Sequence, residues 1–250
     1  MGRLVVRTRA DCDKLKVAAT DLEDAVWGPL GFLNHTSAHR EHYDRVLENF
    51  ADFQLCLVDQ ETEAPVALAN CVPIHFSGNE TSLPQEGWDW LVALGSSVPQ
   101  KGNINALGAL AISVPVDERG RGYASRMIEE LQQLAVRRGY ANMIAPVRPS
   151  AKHRFPHAAM ADYIAWKDAF GRCFDPWLRS HLSHGAEVVT TCEKSMVVDE
   201  HIAFWETWSG RRFSTTGSYL VEGALAPISV DIENQRGRYE EPNVWVIYKH

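Results

Sequence analysis

Residues 104–147 narrow the fold more than any other stretch of the chain. "INALGALAISVPV" is a largely apolar run of strand character, and "DERGRG" is a turn punctuated by two glycines. From Gly122 to Arg138, the residues Met127, Ile128, Leu131, Leu134 and Ala135 recur at the three-and-four spacing of an amphipathic helix, which Gly139 ends before "NMIAPV" begins the next strand. Strand, tight turn, helix and strand within roughly 45 residues make a βαβ-like unit, an arrangement that sets a strand end and a helix start beside a ligand crevice.

The flanking segments suit a mixed sheet. "LVVRT" reads as an edge strand, Asp11 as the N-cap of a helix reaching about Val26 and stopped by "GPLG", and Ser37 to Phe50 as a second helix. "FQLCLVD" and "APVALANCVPIHF", joined by the acidic turn "QETE", have the pattern of an antiparallel hairpin, and "GWDWLVALG" is long enough for a short helix. Downstream come two helical stretches ("AMADYIAWKDAF", "DPWLRSHLSH"), a strand "AEVVTTCEKSMVV", a helix "EHIAFWETWSG" and the strand-like endings "GSYLVEG" and "NVWVIYK". No repeat, low-complexity tract or linker interrupts them. One α/β domain is therefore expected from the 250 residues, with eight tryptophans among the apolar residues that fill its core.

The glycine turn has a chemistry of its own. At a helix start the first backbone N–H groups lack intrahelical partners, and the aligned peptide dipoles leave partial positive charge there. Gly120 and Gly122 let the backbone turn sharply and approach an anion, while Arg119 and Arg121 add charge. Neither GxGxxG nor GxxxxGK[ST] is present, so a dinucleotide fold and a P-loop are poor matches. A nucleic-acid grip is disfavoured by the net charge of −7, although residues 145–181 carry six cations (Arg148, Lys152, Arg154, Lys167, Arg172, Arg179) against three aspartates.

The order of these parts resembles the GNAT superfamily of acyl-CoA-dependent N-acyltransferases. In that family a strand ends in V-x-x-x-x-[QR]-x-x-G-x-[GA], and Val114, Arg119, Gly122 and Ala124 of "VPVDERGRGYA" occupy those places. The resemblance implies a GNAT-like mixed, mostly antiparallel twisted sheet flanked by helices, with an insertion and a C-terminal extension. It implies acetyl-CoA or another acyl-CoA as co-substrate, with no metal. Backbone groups around Ile112, Ser113 and Val114 would then bond the pantetheine arm, and the amides from Arg119 through Gly120, Arg121, Gly122, Tyr123 and Ala124, with Ser125 nearby, would hold the pyrophosphate.

Acyl transfer from a thioester to an amine requires a neutral amine, an oxyanion donor and a proton for the leaving thiolate. An alkyl amine with an ordinary pKa pays about 4.6 kcal/mol to be neutral at pH 7, so a base or a desolvating pocket helps. The oxyanion donor in the family is a strand amide, here near Ile112. Many members supply the proton from a Tyr in "R-x-Y-x-x-x-G"; "RSHLSHG" aligns Arg179 and Gly185 and puts His181 in place of the Tyr. An imidazole titrating near neutrality could give that proton and recover it. The alternative is a helix-surface histidine. No strand carboxylate offers itself as base, which leaves His75, His153 or His157, or a water, to serve the acceptor crevice.

The family core is expected in about 1–147 plus 175–198, with an insertion over about 148–174 and an extension over about 199–250. Both additions would fold over the acceptor side. They leave open a donor borne on the phosphopantetheine of an acyl carrier protein, as in natural-product biosynthesis, for which the cationic insertion would be a docking face. A non-catalytic acyl-CoA-binding module and thioester hydrolysis or decarboxylation are the competing readings. The partner expected otherwise is a small-molecule amine, with no nucleic acid or membrane; a dimer stays open. The opening segment lacks a signal-peptide core and no run suits a membrane helix, so a cytoplasmic location is expected. His35, His39 and His42 in "HTSAHREHYD" share one helical face but read as a solvated surface rather than a zinc site. Core packing is the default for the tryptophans, with Trp88 a candidate for a pocket wall.

Overall fold

The computed structural model describes residues 3–97 and 103–250. β1 (Leu4–Thr8), β2 (Leu55–Asp59), β3 (Pro65–Ile74) and β4 (Ala106–Ser113) run antiparallel to their neighbours in sequence order. The crossover helix α4 (Tyr123–Arg137) then carries the chain to β5 (Asn142–Val147), which lies parallel to β4. The parallel pairing is short: Ala106, Leu107 and Gly108 face Asn142, Met143 and Ile144, and beyond them the two strands part.

The far half of the sheet is built around β9 (Arg236–Lys249). β6 (Glu187–His201) pairs along it from Arg236 to Ile247. The opposite edge of β9 takes β5 at its C-terminal half and β8 (Ile228–Asp231) at its N-terminal end, and β7 (Gly217–Tyr219) pairs with β8. A mixed, mostly antiparallel sheet flanked by helices is thus what the chain forms. Residues 236–249, expected in an extension outside the core, form an inner strand whose residues 241–248 are all buried. The first half was hidden because Arg236, Arg238 and Glu240 alternate with buried Gly237, Tyr239 and Glu241, a half-solvated pattern that differs from the continuous apolar run after it.

Helices depart from expectation mainly at their ends. α1 (Asp13–Trp27) is preceded by Cys12 at the N-cap, because Asp11 instead accepts the Thr8 hydroxyl at 2.6 Å, and "GPLG" continues into a tight helical turn over Gly28–His35. The second helix contains a wide π-turn at His39–Tyr43 before α2 (Asp44–Asn49). α3 (Gly87–Ser97) packs closely on β4: a Cβ on Gly108 would lie 2.5 Å from Leu91 Cδ1. Among the described residues no helix is long and apolar enough to cross a membrane.

The insertion is fastened from within. Asp175, 1% exposed, caps α6 (Pro176–Ser183) by accepting the Trp177 and Leu178 amides, and it also accepts the amides of Ser150 and Ala151 and the Tyr163 hydroxyl of α5 (Met160–Ala165). Lys152, fully buried, donates to the carbonyls of Phe155 and Leu225. The cations of this stretch are partly engaged within the chain. Arg148 pairs with Glu241, Lys152 is interior, and Arg172 and Arg179 both reach Asp168, which leaves Arg154 and Lys167 without an ion pair among the described residues. Five donors on one buried carboxylate make Asp175 the anchor of this region. Asp175→Ala is expected to lower unfolding free energy by about 3–5 kcal/mol, measurable by urea denaturation; a loss below 1 kcal/mol would mean that the insertion is held elsewhere.

Candidate active site

Where β4 and β5 part, a cleft of 1570 Å³ opens between them. Its walls include Ala109, Leu110, Ala111, Ile112 and Val114 on one strand and Met143, Ala145, Pro146 and Val147 on the other. β3 holds the outer edge of β4, with a register shift between Asn70 and Cys71 that leaves Leu110 as the extra residue. The carbonyl of Leu110 is taken by the indole N–H of Trp88 at 3.1 Å. The inner edge of β4 past Gly108 has no strand partner, so its backbone is free for an extended ligand.

The glycine turn closes one end of this cleft. Gly120 and Gly122 have φ of 77° and 81°, a left-handed backbone that side chains other than glycine rarely adopt. Gly122 is the N-cap of α4 and brings no capping side chain; the first turn carries no acidic residue, and the amides of Tyr123, Ala124 and Ser125 have no acceptor within the described chain. Arg119, Gly120, Gly122, Tyr123, Ala124 and Ser125 all line the cleft, as do Ile112 and Val114. Two expected residues do not. The Ser113 hydroxyl is turned to the indole of Trp27, which donates to it at 2.8 Å, and Arg121 leans back to Glu118 at 3.1 Å.

His181, on α6, also lines the cleft and is 5% exposed. Its Nδ1 lies 2.7 Å from the Tyr248 hydroxyl, and its Nε2 is buried without a partner. Since the phenol has no other acceptor among the described residues, it donates to Nδ1, and the imidazole proton sits on Nε2. Burial holds the ring down to about 3. His181 is therefore a neutral N–H donor rather than the protonated acid that a pKa near 6.5 would have allowed. Trp177 packs edge-on against it at 4.4 Å between ring centroids.

The base candidates separate. His75 is exposed, bonds the Asn103 carbonyl at 2.9 Å, and sits outside the cleft at the end of the β3–β4 ladder remote from the turn, next to the Ile74–Ala106 pair. His153 borders the cleft but is exposed, with Nδ1 3.0 Å from the Ser150 carbonyl; His157 is not in the wall. The residue that sequence reading passed over is His39. The π-turn brings it into the cleft, where its ring stacks on Trp88 (5.9 Å, 19°) and against Tyr43 (4.8 Å). Burial lowers its pKa, opposed by Asp44, Glu23 and Asp24, with His35 adding to the lowering. The three histidines do not converge on a metal: His35 meets Arg40 and Glu200, His42 meets Ser96, and no metal-ligand cluster occurs among the described residues.

Around His39 the cleft is polar. Glu23 accepts from Arg9, Tyr43 and Asn70, so its oxygens are occupied. Asp24 and Asp44 line the same wall and make no ion pair among the described residues. Further along, Arg148 donates to buried Glu241 at 2.9 Å and to the Gly223 carbonyl at 2.6 Å, and Asn243 completes that side.

No protein-family model matches the chain. Over 244 residues it is 30% identical to the arginine N-acetyltransferase avaD of Aspergillus versicolor, an alignment covering 87% of this chain and 83% of that protein. Two solved structures superpose over nearly the whole length. The loading GNATL domain of CurA from Lyngbya majuscula has a TM-score of 0.60 at 17% identity, covering 99% of this chain and 98% of that one. The GphF GNAT-like decarboxylase in complex with isobutyryl-CoA has a TM-score of 0.59 at 19% identity, with the same coverage. At these identities they establish the shared fold.

The neutral state of His181 sets a pH dependence of stability. An unfolded imidazole titrates near 6.5, so below that pH the unfolded chain takes up a proton that the folded chain refuses until about pH 3. This contribution is complete above pH 6.5 and falls by about 1.4 kcal/mol per pH unit below it. His181→Asn should flatten the acid loss of stability between pH 6.5 and 4.5 by about that slope in denaturant titrations. Parallel declines in the two proteins would show that His181 titrates normally.

Proposed function

Because this chain belongs to the GNAT superfamily of acyl-CoA-dependent N-acyltransferases, we propose that it moves an acetyl group from acetyl-CoA to the amine of a small cationic acceptor, with arginine the first candidate. The observation that carries the donor half is the uncapped start of α4, three free amides behind a left-handed glycine, at the mouth of the β4–β5 fork. A pyrophosphate supplies what those amides lack. The free edge of β4 suits the amide groups of a pantetheine arm, laid as an added strand.

The acceptor half is supported by the wall around His39. Asp24 and Asp44 provide negative charge without an internal counterion, which favours a cation, and the arginine acetyltransferase is the relative that suggests which one. In the reaction the acceptor nitrogen attacks the thioester carbonyl carbon, the C–S bond breaks, and one N–H proton is lost to base. In this reading His39, its pKa lowered by burial and its ring packed on Trp88 and Tyr43, takes it. His181 Nε2–H hydrogen-bonds the sulfur as charge develops there. Free acyl-CoA is the donor in this reading, since the uncapped start of α4 suits its pyrophosphate.

Acetyl-CoA turnover followed by thiol release tests this, with arginine, an amine panel and an amine-free control. Release should depend on the amine; equal release without one would mean hydrolysis and overturn the reading. His39→Gln should lower kcat/KM for the acceptor by about 100-fold, with acetyl-CoA affinity unchanged by calorimetry. Since burial pulls His39 below 6.5, the wild-type acid limb of kcat/KM should fall below that pH and vanish in the variant. A limb that persists would assign the base elsewhere.

A further inference from the structure

A buried hydrogen-bond chain ends at the cleft on an unused atom. Asn243 of β9 is 2% exposed and lines the cleft beside Pro146. The Pro146 carbonyl can only accept, so the Asn243 atom 3.3 Å from it is the amide nitrogen. The same nitrogen donates to Ser195 Oγ at 2.9 Å, and Ser195 Oγ also accepts the backbone N–H of Trp88 at 2.9 Å. The directions of the bonds from Asn243 and from Trp88 are thereby set by chemistry. Both protons of Asn243 Nδ2 are engaged, and Oδ1 is left buried with no partner.

An orphaned amide oxygen in a protein interior is unfavourable, native structures hold few of them, and a functional role is one reason to keep one. We infer that Asn243 Oδ1 is the docking point for an N–H of the attacking acceptor nitrogen, and that it selects acceptors whose nitrogen carries a second hydrogen, primary amines above N-methylated ones. The inference rests on the transferase reading. Oδ1 holds one N–H and so turns the nitrogen lone pair toward the fork, where β5 leaves β4 within two residues of Pro146. The second N–H is the one surrendered to base. As the nitrogen gains positive charge during attack the bond to Oδ1 strengthens, so its contribution belongs to the transition state. His39 stacks on the Trp88 ring while Asn243 reaches the Trp88 backbone through Ser195, so one tryptophan fixes both groups.

The test compares a primary amine with its N-methyl analogue in the wild type and in Asn243→Ala, alongside acetyl-CoA affinity by calorimetry. The wild type should prefer the primary amine by about tenfold or more. The variant should lose about tenfold on the primary amine, stay within about twofold on the N-methyl analogue, and bind acetyl-CoA unchanged. An equal fall on both amines, or none on the primary amine, overturns the inference. If Asn243→Ala does not fold, Asn243→Ser, which keeps a short donor for Pro146, gives the same comparison. A wild type without amine-dependent turnover overturns the transferase reading and this inference with it, whereas an active wild type with an indifferent variant overturns the inference alone.

Discussion

β4 and β5 share a ladder for three residue pairs and then separate, leaving main-chain donors and acceptors unpaired on two facing edges. Such groups are tolerated inside a protein only where the strands are held from behind and something else can meet them. Both conditions hold here. β3 grips β4 as far as Ser113, and β9 grips β5 through Val147, so neither strand can close on the other. Pro146 has no N–H to give a ladder and lies where pairing to β4 has already stopped. Trp88 ties off the carbonyl of Leu110, the residue that the β3–β4 irregularity displaces.

The same economy governs the start of α4. Met127, Ile128, Leu131, Leu134 and Ala135 bury the helix against the sheet, so its position is set by packing. Its first turn is left polar, uncapped and free of carboxylates, in a chain whose net charge is −7. The arginines of the turn contribute less than their number suggests, because Arg121 is engaged by Glu118 and Arg119 lies along the Val114 carbonyl. Backbone geometry therefore supplies the unpartnered amides of this turn, and the glycines are needed for their φ angles, since no protein atom lies within 4 Å of a Cβ at either position.

What could be read from the sequence follows from how local each signal is. The βαβ-like unit, the hairpin and the glycine turn are contiguous, and periodicity with glycine placement identifies them. The site opposite the turn is not contiguous. Tyr248 stands 67 residues from His181 and meets it only because β9 enters the middle of the sheet. Asn243 depends on Ser195 and Pro146, which belong to two other strands. His39 had a local signal in "HTSAHREHYD", but an even helical period put it on a solvated face with His35 and His42; the π-turn breaks that period and rotates it inward. The basic count over 145–181 carries less information for a related reason, since composition cannot tell a buried lysine or a paired arginine from a free one.

The exchange of a tyrosine for His181 can now be weighed in physical terms. A phenol has not vanished from the neighbourhood; Tyr248 stands behind the imidazole and donates to it. No carboxylate neighbour raises the pKa of His181, and burial dominates, so an imidazolium would be an uncompensated charge in an apolar wall. The neutral ring avoids that penalty and keeps one unpartnered N–H, its orientation fixed by the phenol at Nδ1. Such a donor does little for an uncharged thioester and much for a sulfur acquiring negative charge, the differential that lowers a barrier. In the proposed reaction, position 181 thus keeps a hydrogen-bond donor for the leaving group while changing which ring carries it.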